Sequence, residues 1–200
     1  MDIILKYFPD LKPLQKHQFS QMKAIYEEWN AQINVISRKD MDNFYTHHCL
    51  HSLSIAKLDL IRPGETVVDV GCGGGFPVIP LAVLMPDVKF IAVDSIGKKI
   101  KVVNAVVDAL GLTNVTTHNG RIEEIKASTY DWVISRAVTD LKTFVGWTWK
   151  KTTHGILYLK GGDVAQEIAD ARRKTIVHDL SKWYDEEFFE TKRLLHLPKR

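Results

Sequence analysis

Thr66-Val-Val-Asp-Val-Gly-Cys-Gly-Gly-Gly-Phe-Pro77 is the stretch on which the reading of the fold turns. β-Branched and apolar residues run into Asp69, and glycines follow at 71, 73, 74 and 75. Val78-Ile-Pro-Leu-Ala-Val-Leu-Met85 comes next and reads as a helix. Pro77 and Pro80 fall near its start, where a missing N–H costs little. Strand, glycine turn and helix in succession open a nucleotide-type βαβ unit, whose glycines let the backbone approach a ligand at the helix N-terminus.

The spacing of the glycines selects the ligand. A dinucleotide fingerprint, G-x-G-x-x-G, needs its third glycine at the position of Phe76. The pattern Asp69-x-Gly71-x-Gly73-x-Gly75 instead resembles the first motif of the S-adenosylmethionine (SAM)-dependent methyltransferases, whose loop wraps the methionine part of the cofactor. The next strand, Lys89-Phe-Ile-Ala-Val93, ends in Asp94, where an acidic side chain about 20 residues on accepts ribose hydroxyls.

Two hundred residues suit one domain with a short extension. The apolar share of 45% and charged share of 26% are those of an ordinary globular protein. No apolar run reaches the roughly 20 residues of a membrane span, and no basic-then-apolar leader is present. The two cysteines, Cys49 and Cys72, have no metal-ligand pairing, so a cytoplasmic location is expected. A net charge of +3 is too mild to identify a nucleic-acid partner.

Along the chain, residues 11–33 read as a helix whose apolar face is Leu14, Phe19, Met22, Ile25, Tyr26 and Trp29. A second helix is predicted over 41–58, with Ser37 or Asp40 as its cap. Residues 1–63 thus form a helical cap, and 64–200 a Rossmann-like domain joined to it in one compact unit. Helices are predicted over 98–110, 141–149 and 164–174, and strands over 115–118, 130–135 and 155–159. Late strands over 175–180 and 193–197 pair as an antiparallel edge. The alternation predicts a mostly parallel seven-stranded sheet covered on both faces. Its ligand crevice lies at the carboxyl ends of the first strands, near Asp69, Asp94, Glu123 and Arg136.

Methyl transfer from a sulfonium requires mainly that two reactants be oriented. No Asn-Pro-Pro-Tyr-like loop for exocyclic amines is present, and neither cysteine has a Pro-Cys setting for attack on a cytosine ring carbon. Guanine N7 carries a free lone pair and needs no base. His47, His48 and His51 lack the Glu of an H-E-x-x-H site, so packing or an RNA contact is preferred to metal. Trp132 is expected in the core, and Trp147 and Trp149 on the helix after it.

Seven motifs then occur in order: Asn34-Val-Ile-Ser-Arg38, His48-x-Leu50-x-Ser52-Leu53, Asp69-Val-Gly-x-Gly-x-Gly-Phe-Pro77, Val93-Asp-Ser95 with Lys98-Lys99, Arg121-x-Glu-Glu124, Ser135-Arg-Ala137 and Leu159-Lys-Gly161. Together they resemble the ribosomal small-subunit methyltransferase G family, also called the glucose-inhibited division protein B family. The resemblance runs from Asn34 to the end of the chain. It implies a class I SAM-dependent fold and methyl transfer to guanine N7 in the decoding-region loop of 16S ribosomal RNA. It further implies that Gly71 and Phe76 contact the cofactor, that Ile122 and Glu123 frame its adenine, and that Arg136 lines the cofactor and guanine site. The chain departs from the family pattern at His51, at Gly74 and Val78, and at Lys192.

The expected site therefore has Asp69, Gly71, Gly73, Gly75, Phe76, Asp94, Ser95, Ile122, Glu123 and Arg136 around SAM, with Arg136 and Lys160 holding the guanine or its phosphate. Asn34, Arg38, Lys98, Lys99, Lys192 and Arg193 are expected RNA contacts, with Lys199 and Arg200 beside them. The expected partner is 16S ribosomal RNA or an assembling small-subunit particle, bound by a monomer without membrane or metal. Two rivals remain at this point: a SAM-dependent methyltransferase of another RNA or small molecule, and a non-enzymatic or NAD-binding Rossmann module.

Overall fold

In the computed structural model, which describes residues 1–125 and 129–199, the strand predicted at Thr66 is an interior strand, third in order, of a seven-stranded sheet. The strands are β1 (Thr66–Val70), β2 (Lys89–Asp94), β3 (Val115–Asn119), β4 (Tyr130–Arg136), β5 (Thr152–Gly161), β6 (Ile176–Asp179) and β7 (Lys192–Pro198). Their order is β3-β2-β1-β4-β5-β7-β6. The first five run parallel, and β7 lies antiparallel to both β5 and β6. The order reverses between β1 and β4, which opens a crevice at their carboxyl ends.

Both faces of the sheet are buried, and alternation along β1 shows why its sequence is almost wholly apolar. Val67 joins a core with Phe19, Met22, Phe44, Phe76 and Phe90, whereas Val68 and Val70 join one with Val133, Phe144, Tyr158 and Leu195. Helices α4 (Val78–Leu84) and α5 (Gly97–Leu110) cover the first face. α6 (Leu141–Thr148) and α7 (Ala165–Ala171) flank the second. α5 ends at Gly111, whose φ of +62° is a conformation glycine adopts without a Cβ penalty.

The cap comprises α1 (Asp2–Tyr7), α2 (Pro13–Asn30) and a helical stretch, 44–58, that changes winding twice. Phe44–Leu50 is a π-helix, α3 (His51–Leu53) is one α turn, and Ser54–Leu58 is 3-10. The expected face of α2 is corrected: Leu14 is 65% exposed, while Gln15 and Gln18 are buried. The reason is hydrogen bonding. Gln15 Nε2 donates to the carbonyls of Val83 and Leu84, at 2.9 Å each, and Gln18 Nε2 to that of Leu110 at 2.8 Å. These glutamines satisfy the orphan carbonyls at the ends of α4 and α5, docking the cap onto the sheet's helices. The helix over 164–174 also ends early, at Ala171, with Arg172 left-handed at φ +50°. Among the described residues no helix is long and apolar enough to cross a membrane.

Candidate cofactor and acceptor site

A cavity of about 560 Å³ opens at the carboxyl ends of β1, β2 and β4. The glycine turn forms its floor. Gly71 N and Cys72 N donate to the carbonyl of Val93 at 2.8 and 3.0 Å, which draws the turn across the end of β2. Gly71 and Gly73 have φ of +72° and +56°, and a Cβ on Gly73 would meet nothing within 4 Å. A Cβ on Gly71 would instead fall 2.5 Å from Val138 Cγ2, and one on Gly74 2.8 Å from Val35 Cβ. Backbone, strand-end loop and cap loop therefore approach one another more closely than side chains at those glycines would permit.

Asp94 organises the neighbouring wall. Its Oδ2 accepts from Gly73 N at 2.9 Å and its Oδ1 from Ile96 N at 2.8 Å, so one carboxylate ties the glycine turn to the start of α5. Gly120 N reaches the Asp94 carbonyl at 3.1 Å, bringing the 3-10 turn Ile122–Glu124 alongside. Ile122 presents a buried apolar surface there, with Glu123 exposed beside it.

Ser95, Ile122, Glu123, Phe76 and Arg136 all line the cavity with Gly71, Gly73 and Asp94. Asp69 and Gly75 do not. Asp69 is fully buried behind the turn, where its Oδ2 accepts from Val78 N at 3.1 Å and its Oδ1 has no partner among the described residues. Burial pushes this carboxyl up to about 8, with Asp94 adding to the rise. A Cβ on Gly75 would strike Ile79 and the Tyr26 hydroxyl, so that glycine serves packing. Lys160 also lies off the cavity. Its nearly buried ammonium meets the Thr139 carbonyl and Glu167, each at 2.7 Å, and thereby braces the connection between β4 and α6.

Arg136, at the end of β4, is half-buried beside the cavity. It donates to the His47 carbonyl at 3.2 Å and to His48 Nδ1 at 3.1 Å, with its guanidinium 5.3 Å from the Phe76 ring centre. His47 and His51 also pack against aromatic rings. His47 stacks on Phe188 at 3.9 Å, and buried His51 meets Phe188 and Phe189 edge-on. Among the described residues no group of three or more Cys, His or carboxylate side chains is placed to hold a metal.

The expected RNA contacts are dispersed. Asn34 and Arg38 are exposed on either side of Val35, which lines the cavity, and Lys98 and half-buried Lys99 lie in the first turn of α5. Lys192 sits 4.4 Å from the centre of the Phe188 ring. Arg193 is engaged by Asp179 at 2.6 Å. Lys199 is at the opposite end of β7, bonded to the carbonyls of Trp149 and Thr152, and Arg200 lies outside the described residues. Among the cavity residues outside the expected site set are Val35, Ile96, Gly120, Val138 and Trp147. Trp147 is half-buried on α6, and its aromatic type was the only signal that the sequence offered for it.

A family model for rRNA small subunit methyltransferase G matches residues 15–195. The chain belongs to that family. It is 52% identical to the Flavobacterium johnsoniae ribosomal RNA small subunit methyltransferase G over 99% of this chain and 98% of the relative. The Bacteroides thetaiotaomicron protein of the same name is 49% identical over 98% of each. The fold is that of class I SAM-dependent methyltransferases. A SAM-dependent methyltransferase from Aquifex aeolicus matches with a TM-score of 0.60 at 15% identity, covering 82% of this chain and 98% of that one. Precorrin-6y C5,15-methyltransferase from Geobacter metallireducens matches at 0.56 and 11% identity, covering 84% and 91%.

SAM is the cofactor of this methyltransferase G family member, and the cavity fits it. The turn leaves open backbone at Gly73 for the methionine portion, Asp94 has lone pairs to spare for ribose hydroxyls, and Ile122 offers an apolar face for a purine. The departures from the family pattern also find their places: Gly74 makes room for Val35, and His51 packs between phenylalanines.

Proposed function

We propose that this chain transfers the methyl group of SAM to N7 of a guanine in the decoding-region loop of 16S ribosomal RNA, acting as a monomer on the RNA or on an assembling small-subunit particle. The observation that carries the proposal is the placement of Arg136, a guanidinium at the cavity edge where the cofactor cradle meets the cap. SAM supplies an activated methyl group. Guanine N7 brings its own lone pair, so the chain need only hold the base in line.

The side chains around the cavity support that acceptor. Burial, with Asp69 and Asp94 nearby, pushes the Cys72 thiol well above its ordinary range, so no thiolate is available for attack on a ring carbon. His48 is held by Asp40 and Arg136. Arg136 offers a donor for guanine O6, beside the N7 lone pair that has to stay free to take the methyl. Asn34, Arg38, Lys98, Lys99 and Lys192, of which Lys99 lines the cavity, supply affinity for phosphates that is independent of sequence.

The test separates cofactor from acceptor. Asp94→Ala should weaken SAM binding in a calorimetric titration, whereas Arg136→Ala should mainly cut methyl transfer. Undiminished transfer by both variants would defeat the assignment.

A further inference from the structure

Asp40 belongs to no part of the cofactor cradle, yet its carboxylate is divided between two adjacent histidines. Oδ1 lies 2.5 Å from His47 Nδ1 and Oδ2 2.5 Å from His48 Nε2. Neighbours on an α-helix point too far apart to share one carboxylate. The π winding of Phe44–Leu50 brings both rings to it, and such windings recur at functional sites. Burial opposes ionisation of Asp40, but the bonds from His47 and His48 prevail and hold it below the usual carboxylate range.

The other nitrogen of His48 fixes the direction of the chain. Arg136 can only donate, so His48 Nδ1 must carry a lone pair, and the ring proton resides on Nε2, facing Asp40. Burial and the Arg136 charge lower His48 to about 4, leaving the ring neutral at pH 7. Donation thus runs one way, from Arg136 to His48 to Asp40.

The consequence concerns the acceptor. An unrestrained arginine grips O6 and N7 of guanine together, which would cover the lone pair that must take the methyl. Arg136 is restrained, with one terminal nitrogen on His48, the other on the His47 carbonyl and its plane near Phe76. We propose that Asp40 is a positioning residue for methyl transfer: through the Nε2–H tautomer of His48 it holds Arg136 where the guanidinium serves O6 and leaves N7 open. This rests on the guanine-N7 reading above.

The experiment compares wild type, Asp40→Ala, Asp40→Asn, His48→Phe and the Asp40→Ala/His48→Phe double variant. The readouts are SAM affinity, turnover on small-subunit RNA, and the His48 tautomer from long-range proton–nitrogen NMR. Wild-type His48 should read as Nε2–H at pH 7. Asp40→Ala should lose that state and lower turnover about 10- to 100-fold, as for other lost outer-shell partners, with SAM affinity held within about twofold. In the His48→Phe background the same substitution should add nothing. Asp40→Asn preserves shape, and its turnover should follow whichever tautomer it shows.

An Nδ1–H or doubly protonated His48 in wild type would overturn the proposal. So would an equal loss from Asp40→Ala in both backgrounds, or turnover that ignores the tautomer. Absence of methyl transfer by the wild type would refute the guanine reading instead, while the NMR result would still decide whether Asp40 sets the tautomer.

Discussion

Gly71→Ala tests how closely the strand-end loop presses on the cofactor turn. Two costs can be worked from the geometry. Gly71 has φ +72°, and a left-handed alanine costs roughly 1–2 kcal/mol. The new methyl would lie 2.5 and 3.0 Å from the two Val138 methyls, an overpacking worth about 1–3 kcal/mol. Together they destabilise the fold by about 2–5 kcal/mol. Val138→Ala removes those methyls and leaves a nearest contact of 3.4 Å to the Val138 Cβ, an ordinary separation. Val138 is 39% exposed, so its own truncation should cost about 0.5 kcal/mol or less. Urea unfolding of the four proteins therefore yields a coupling of about 1–3 kcal/mol. Gly73→Ala is the control, since it has the positive φ without the crowding. An equal loss from Gly71→Ala in both backgrounds would show that Val138 does not close over the turn, and the described cavity wall would be wrong.

Other consequences are as open to measurement. The fold prefers neutral Asp69, raised to about 8, whereas the unfolded chain ionises near 3.8. Its stabilisation is complete below pH 4 and is lost as pH rises towards 8, an effect of at most roughly 6 kcal/mol. Asp69→Asn should flatten that fall in denaturation at pH 5 and pH 8, and a pH slope parallel to that of the wild type would refute it. Tyr26 donates its buried hydroxyl to the Gly74 carbonyl at 2.7 Å. Tyr26→Phe should cost about 1–2 kcal/mol and weaken SAM binding; no change in either would dismiss the hydroxyl as an anchor of the turn. Removing Lys98 and Lys99 together should lower the salt dependence of RNA affinity by about one to two units of slope, and an unaltered slope would remove both from the RNA surface.

The part of the fold legible in the sequence was that in which patterns change abruptly. At Thr66–Leu84 an apolar strand meets four glycines and then an apolar helix, and no other local structure reconciles them. At Gly97–Leu110 a helical period stops on a glycine in the left-handed region. What escaped depends on contacts remote in the chain. Gln15 and Gln18 face inward because α4 and α5 end beneath them, which periodicity in α2 does not reveal. Asp40 was read as a cap, but its partners lie seven and eight residues on, across a π-helix that no spacing rule anticipates. Lys160 carries a family motif yet serves the Thr139 loop, since β5 runs one strand beyond the crevice. The residues that meet at the cavity wall were legible because adjacent parallel strands deliver their ends to one place. The surroundings of the late basic residues were less so, because Arg193 and Lys199 found partners within the fold.

The central claim is that a purine nitrogen of the small-subunit RNA receives the methyl group. The most direct measurement incubates the protein and labelled SAM with small-subunit particles, free 16S RNA and a control RNA. Methylated sites are then mapped by chemical cleavage at N7-methylguanine. Label on one guanine N7 of the 16S decoding region, absent from the control RNA, is the predicted result. Label on another atom, on every RNA alike, or on none would contradict the account.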